Sequence, residues 1–221
     1  MKTKSIFALL LGLLLVLGAC NRTHGTLNGH EWVDLGLSSG TLWATCNVGA
    51  NSPEEYGDYF AWGETNPKSN YSSYKYGNYY DRELTKYCHD GSYGKNRFTD
   101  NKTVLDAEDD AATVNWGGGW RMPTKAEMIE LKEECSWEWT APKGVYGYRV
   151  TGPNGNSLFL PAAGYCYVTS LYYAGCYGVY WSSALGNYPY FAYELYFGSD
   201  DVVWSPKDRF YGLSVRPVVK R

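Results

Sequence analysis

Apolar alternation in this chain comes in short runs, each stopped by turn-forming residues, and this limits what it can fold into. Residues 31–37 and 41–48 alternate on either side of Ser38-Ser39-Gly40, a hairpin pattern. Gly147–Thr151 and residues 157–160 flank Pro153-Asn154-Gly155-Asn156, where proline fixes φ and Asn-Gly tolerates positive φ. Phe191–Phe197 reads as a half-buried strand. Residues 213–219 read as a closing strand that Pro217 pushes toward a sheet edge. Runs this short build small sheets joined by long connections.

Two helices are expected. The clearer one spans residues 125–135, with Thr124 as N-cap and Glu127 as its capping-box partner, and Met128, Leu131 and Cys135 form its apolar stripe. The second spans residues 105–114, where the acidic run at 106–110 reads as a solvated helix start. Between residues 56 and 98 the chain is polar, rich in tyrosine and glycine, and weakly periodic, which predicts long loops within one domain. No internal repeat is evident.

At the N-terminus, Lys2 and Lys4 precede an unbroken apolar run over residues 6–17 that ends in Leu17-Gly18-Ala19-Cys20. The run is shorter than the roughly 20 residues a membrane-spanning helix needs, so it reads as an export signal. Leu-Gly-Ala-Cys resembles the lipobox of bacterial lipoproteins. That resemblance implies a signal peptide over 1–19, lipidation at Cys20, a lipidated tether over 20–29 and a folded domain over 30–221. The residues after Cys20, Asn21 to Gly25, carry no acidic cluster, so surface display is plausible without being signalled.

Residues 1–19 hold two lysines and no acid, so without them the net charge moves from −3 to −5. No basic stripe exists, which excludes nucleic acid and leaves the membrane reachable only through the lipid. Five cysteines follow Cys20, namely Cys46, Cys88, Cys135, Cys166 and Cys176. An odd number in an oxidising compartment leaves at least one thiol free. No C-x-x-C occurs and the three histidines (His24, His30, His89) are scattered, so neither a zinc site nor any other cofactor is indicated.

Several segments carry a family resemblance. Residues 32–44 (WVDLGLSSGTLWA), 57–64 (GDYFAWGE), 119–127 (GWRMPTKAE), 135–139 (CSWEW), 180–183 (YWSS) and 214–218 (SVRPV) occur in an order that resembles the Fibrobacter succinogenes major paralogous domain family. The resemblance implies an α+β, C-type-lectin-like fold, with two helices flanking small antiparallel sheets and the terminal strands side by side. A subset of that family is similar to the variable proteins of diversity-generating retroelements, in which asparagine codons are randomised. The framework of that subset is matched by residues 160–165, Trp181, Ala192, Leu195, Phe197, Arg209, Gly212 and residues 214–217.

Between those framework positions lie Tyr167, Tyr172, Tyr173, Tyr177, Val179, Tyr188, Tyr190, Phe191, Asp200, Asp201, Asp208, Phe210 and Tyr211, together with Cys166 and Cys176. All are encodable with a final pyrimidine, whereas Glu194 and Lys207 are not. The resemblance implies that the framework faces the core while these positions project toward an external ligand, a protein or a glycan. Tyrosine suits that role because it offers a large rigid contact area and a hydroxyl at low entropic cost. The triplets of calcium-dependent sugar sites are absent, and Val114-Asn115-Trp116 is not the calcium-ligand motif of those sites.

Residues 121–127 also resemble a segment of formylglycine-generating enzymes, but Pro123-Thr124-Lys125-Ala126-Glu127 is explained as a helix cap. The late cysteines have no late histidine to activate them, so an enzyme is not expected. The sequence thus reads as an outer-membrane lipoprotein that binds an external ligand, with a structural or fimbrial-tip adhesin subunit as the alternative.

Overall fold

The computed structural model describes residues 22–77 and 83–221; Cys20 and the expected leader 1–19 lie outside the described residues. Strands β1 (His24–Leu27), β2 (His30–Asp34) and β3 (Thr41–Ala44) precede helices α1 (Ala111–Trp116) and α2 (Lys125–Glu134). There follow β4 (Ser136–Thr140), β5 (Gly147–Thr151), β6 (Ser157–Pro161), β7 (Tyr165–Tyr167) and β8 (Ser170–Tyr172). The chain closes with β9 (Gly178–Leu185), β10 (Phe191–Phe197), β11 (Val202–Asp208) and β12 (Val218–Lys220). These form four small antiparallel sheets, ordered β1-β2-β3-β12, β11-β10-β9, β4-β5-β6 and β7-β8.

The α+β, C-type-lectin-like expectation is therefore corrected: the chain is mostly β, and no C-type-lectin-like fold is shown. One cause is local. Asp110 sits at extended φ and ψ inside the expected second helix and caps a shorter one, its Oδ1 accepting from Thr113 N at 2.9 Å. Its carboxylate also accepts from Met122 N at 2.8 Å, so a 3-10 turn at Ala107–Asp109 and a six-residue α1 replace one longer helix. Asp109 in that turn is buried, so the acidic run is not the solvated helix start expected of it.

Other expectations stand closer to the structure. Helix α2 starts at its capping box, with Glu127 N donating to Thr124 Oγ1 at 3.1 Å and Thr124 N to Glu127 Oε2 at 2.9 Å. The hairpins β2–β3 and β5–β6 pair antiparallel where the turn residues placed them. Residues 24–27, read as tether, instead form an edge strand on β2. Of residues 213–219, only the end pairs as a strand, β12, at a sheet edge beside β3.

Sheet β9-β10-β11 divides the core. Val179, Trp181 and Ala192 face one cluster with Phe60, Trp62, Trp120 and Val215. Tyr180, Leu195 and Phe197 face the other, with Leu131, Tyr148, Val150 and Val218. Burial on both faces explains why β9 reads as almost unbroken buried sequence rather than as alternation. Gly178 is required at its start, since any Cβ there would collide with the Phe197 ring.

Two buried arginines tie the loops to this core. Arg216 donates from Nε to Asn47 Oδ1 (2.8 Å), from Nη1 to the carbonyls of Ala44 (3.2 Å) and Thr45 (3.0 Å), and from Nη2 to Phe159 O (3.0 Å). Arg209 donates to Tyr74 Oη (2.8 Å), Pro189 O (2.6 Å), Tyr87 O (3.1 Å) and Lys86 O (3.1 Å), and its guanidinium lies 5.0 Å from the Trp62 ring centre. Neither has a carboxylate partner among the described residues, so carbonyl and hydroxyl oxygens compensate their burial. Lysine has neither the planar fork nor the donor count to replace either one. Arg216→Lys is expected to lower stability by about 3 kcal/mol, because carbonyls on two segments, residues 44–47 and Phe159, lose a buried donor. Urea unfolding read by tryptophan fluorescence checks this; an unchanged midpoint would mean the clamp is peripheral.

Candidate functional site

The residues after Pro161 form a web of tyrosine rings. Strand β7 supplies Tyr165 and Tyr167, β8 supplies Tyr172, the following turn supplies Tyr173 and Tyr177, and β10 supplies Tyr196. Phe210 and Tyr211 join them from the turn after β11. The Tyr167–Tyr211 ring centres are 5.0 Å apart, Phe210–Tyr211 4.8 Å, Tyr165–Tyr211 5.4 Å, Tyr165–Tyr173 5.9 Å, Tyr173–Tyr177 5.2 Å and Tyr177–Tyr196 5.1 Å. Spacings of this kind make one continuous aromatic surface.

Main-chain hydrogen bonds hold these segments in place. Cys166 and Gly212 exchange N–H···O bonds at 2.7 and 2.9 Å, Tyr71 N donates to Val168 O at 2.7 Å, Gly164 N to Tyr177 O at 2.7 Å and Gly175 N to Ala162 O at 2.7 Å. The loop at 56–77 is thereby stitched to the web. Tyr173 and Val168 hold φ of 57° and 53°, a left-handed backbone that suits Asn or Gly better than tyrosine or a β-branched residue.

The structure gathers some of the expected ligand residues and separates others. Tyr167, Tyr172, Tyr173, Tyr177, Phe210 and Tyr211 share the web; Tyr172 is 41% and Tyr173 54% exposed. Tyr188, Tyr190 and Phe191 form a second group at the β9–β10 turn, where Tyr190 lies 4.4 Å from Phe191 and 5.1 Å from Tyr93. Tyr190 and Phe210 line one crevice with Tyr74, Leu84 and Arg209, which joins the two groups. Val179 is corrected: opposite Tyr196 in the sheet and wholly buried, it belongs to the core and offers no surface to a ligand.

Asp200 and Asp201 are exposed in the β10–β11 turn, and Gly198 separates Asp201 from the Tyr177 ring. Asp208 is half-buried opposite Phe191, and its Oδ1 has no hydrogen-bond partner. The framework positions Trp181, Ala192, Leu195, Phe197 and Gly212 are all buried.

Sequence reasoning missed the charged centre of this surface. Lys207 Nζ stands 4.2 Å from the Tyr165 ring centre and 4.8 Å from that of Tyr211, a double cation–π contact. On the same sheet face lies Glu194, opposite Trp181 and Ser205, only 2% exposed and with Oε2 unpartnered. Burial pushes its carboxyl up to about 8; the Lys207 charge opposes that rise and Asp208 adds to it. Alternation alone assigns Glu194 to the solvent side of β10. The chain instead covers that side with the tyrosine-bearing loops.

The other polar clusters are structural. Lys86 Nζ lies within 2.9 Å of carboxylate oxygens on Asp106, Glu108 and Asp109, and Asp109 also accepts from the Tyr76 and Tyr87 hydroxyls. An internal ammonium thus occupies the one group of three carboxylates, among the described residues, that is close enough to hold a metal ion. All five described cysteines are free thiols, with Cys88 buried and Cys176 exposed. Burial pushes the Cys166 thiol up to about 11. A groove of about 400 Å3 lined by His30, Thr45, Cys46, Asn51 and Trp116 shares no residue with the web.

The chain matches no family model, no curated protein and no solved structure.

Glu194 gives a direct test of this geometry. Because its folded value lies above the ordinary 4.5, the native state holds an extra proton between about pH 4.5 and pH 8, and stability falls as pH rises through that window. Glu194→Gln removes the titration. Relative to that variant, wild type is expected to lose about 1.4 kcal/mol for each pH unit across the window, read from urea midpoints. Parallel curves would show that the carboxyl is solvated.

Proposed function

We propose that this protein is a lipid-anchored envelope protein that binds an external ligand through the tyrosine web. One observation carries the reading: six residues singled out for recognition converge with Tyr165 and Tyr196 on one surface of half-exposed rings. Such rings give broad contact at small entropic cost, and loops fixed by their own main chain arrive already ordered. The basic, apolar and small-residue pattern ending at Cys20 supports the anchor. Among the described residues no helix is long and apolar enough to cross a membrane. A protonated Cys166 thiol, with no histidine in the web, supports binding rather than catalysis.

Replacing both Tyr172 and Tyr173 with serine is expected to weaken any ligand captured from glycan arrays or protein panels by about tenfold or more. The thermal midpoint should not fall, because both rings are exposed. Capture that is indifferent to the double change would refute the web as the binding surface.

We further propose that the web positions are diversified slots. Tyr173 supports this, since it occupies a backbone conformation that asparagine, the residue whose codon is randomised, adopts more readily. Tyr173→Asn is expected to raise stability by about 1 kcal/mol, measured by urea unfolding. Sequencing the 3′ third of the gene and its flanking DNA across close relatives tests the idea itself. Substitutions should crowd into codons 166–211 beside an imperfect repeat, sparing Trp181; uniform variation would sink it.

A further inference from the structure

The centre of the web holds more negative potential than it satisfies. Glu194 carries a buried oxygen without a hydrogen-bond partner, which is rare in folded proteins, and Asp208, next to Lys207 but on the other face of β11, carries a second. The faces of the Tyr165 and Tyr211 rings add their own negative quadrupole potential. Against this stands Lys207, whose ammonium rests on the rings and leaves Glu194 Oε2 without a partner. The lysine is only partly buried, and its flexible stem can leave without disturbing a strand.

We infer that Tyr165, Tyr211 and Glu194 form a subsite for the ammonium or guanidinium group of an external ligand, a place now filled by the protein's own Lys207. The inference rests on the reading of the web as a binding surface and names the chemistry that surface selects. An incoming cation takes the ring faces, displaces Lys207 toward solvent and donates to the unpartnered Glu194 oxygen. Glu194 then ionises and releases its proton to water, so that one cation enters as one proton leaves.

Binding should therefore strengthen with rising pH until Glu194 is ionised in the free protein, with a limiting slope of about tenfold per pH unit. The groups that face Glu194 are Tyr165 from β7, Tyr196 on its own strand and Lys207 from β11; Asp208 acts on it from the opposite face of the sheet, and β9 presents the uncharged Trp181. The two tyrosines are raised by burial above their ordinary value, which leaves Glu194 as the group that changes charge near neutrality.

The test uses the full chain with 13C-labelled tyrosine rings, titrated with N-acetyl-arginine amide, N-acetyl-lysine amide and the neutral isostere N-acetyl-citrulline amide at constant ionic strength. The cationic probes should shift the Tyr165 and Tyr211 resonances more tightly as pH rises, while the citrulline probe shifts neither. Lys207→Met should bind the cations about three- to fivefold more tightly, since no resident ammonium has to be evicted. Glu194→Gln should abolish the pH dependence. If citrulline and arginine probes shift the web equally, the cation subsite is overturned while the web stands as a binding surface. If no probe shifts Tyr165 or Tyr211 in wild type or Lys207→Met, the subsite is likewise overturned, and the surface reading is then decided by the Tyr172 and Tyr173 variants.

Discussion

Two guanidinium groups, buried and compensated only by carbonyl and hydroxyl oxygens, hold this fold together. Arg216 ties the end of β3 to the middle of β6 beside the last strand, and Arg209 ties Tyr74, Lys86 and Tyr87 to the end of β11. A buried cation without such acceptors is too costly to exist, so each arginine fixes the course of every segment it touches. Four sheets of two to four strands would otherwise share little. With the clamps in place, the long loop at 56–77 packs against the C-terminal strands and contributes Phe60 and Trp62 to the core.

Much of the local structure was legible in the sequence, and the reason differs by element. Helix α2 was readable because its capping box is a contiguous signal, and β5–β6 because Pro153 and the Asn-Gly pair enforce the turn. Strand β10 matched its alternation, yet its second face misled. Glu194 on a half-buried strand reads as a solvent residue, and only tertiary cover by the β7–β8 hairpin makes it a buried acid. Strand β1 was missed because four residues pairing at a sheet edge carry no periodic signal. The fold class failed for a related reason. The short acidic segment before α1 looks helical one residue at a time, but Asp110 spends its carboxylate on Thr113 and Met122 and stops the helix from extending.

For the proposed site, the sequence named six of the rings that the structure brings together in the web. It could not separate Val179, which shares the spacing of exposed positions but lies in a sheet buried on both faces. Nor could it find Lys207 and Glu194, whose significance comes from their placement beside one another under rings drawn from distant loops. Recognition surfaces assembled from several loops are legible as ingredients, whereas their electrostatics exist only once the loops are folded together.

The web's segments are fastened by backbone donors and acceptors, between Cys166 and Gly212, Tyr71 and Val168, Gly164 and Tyr177, and Gly175 and Ala162. Every residue except proline supplies the same amide, so at Tyr71, Cys166, Val168 and Tyr177 the fastening does not depend on the side chain, whereas Gly164 and Gly212 leave no room for a Cβ. Shape and chemical identity are thus uncoupled across this face. For the binding role proposed above, exchanging one outward residue for another would change what the surface recognises and leave its contour alone, which is the property required of a scaffold that must keep one fold under many specificities.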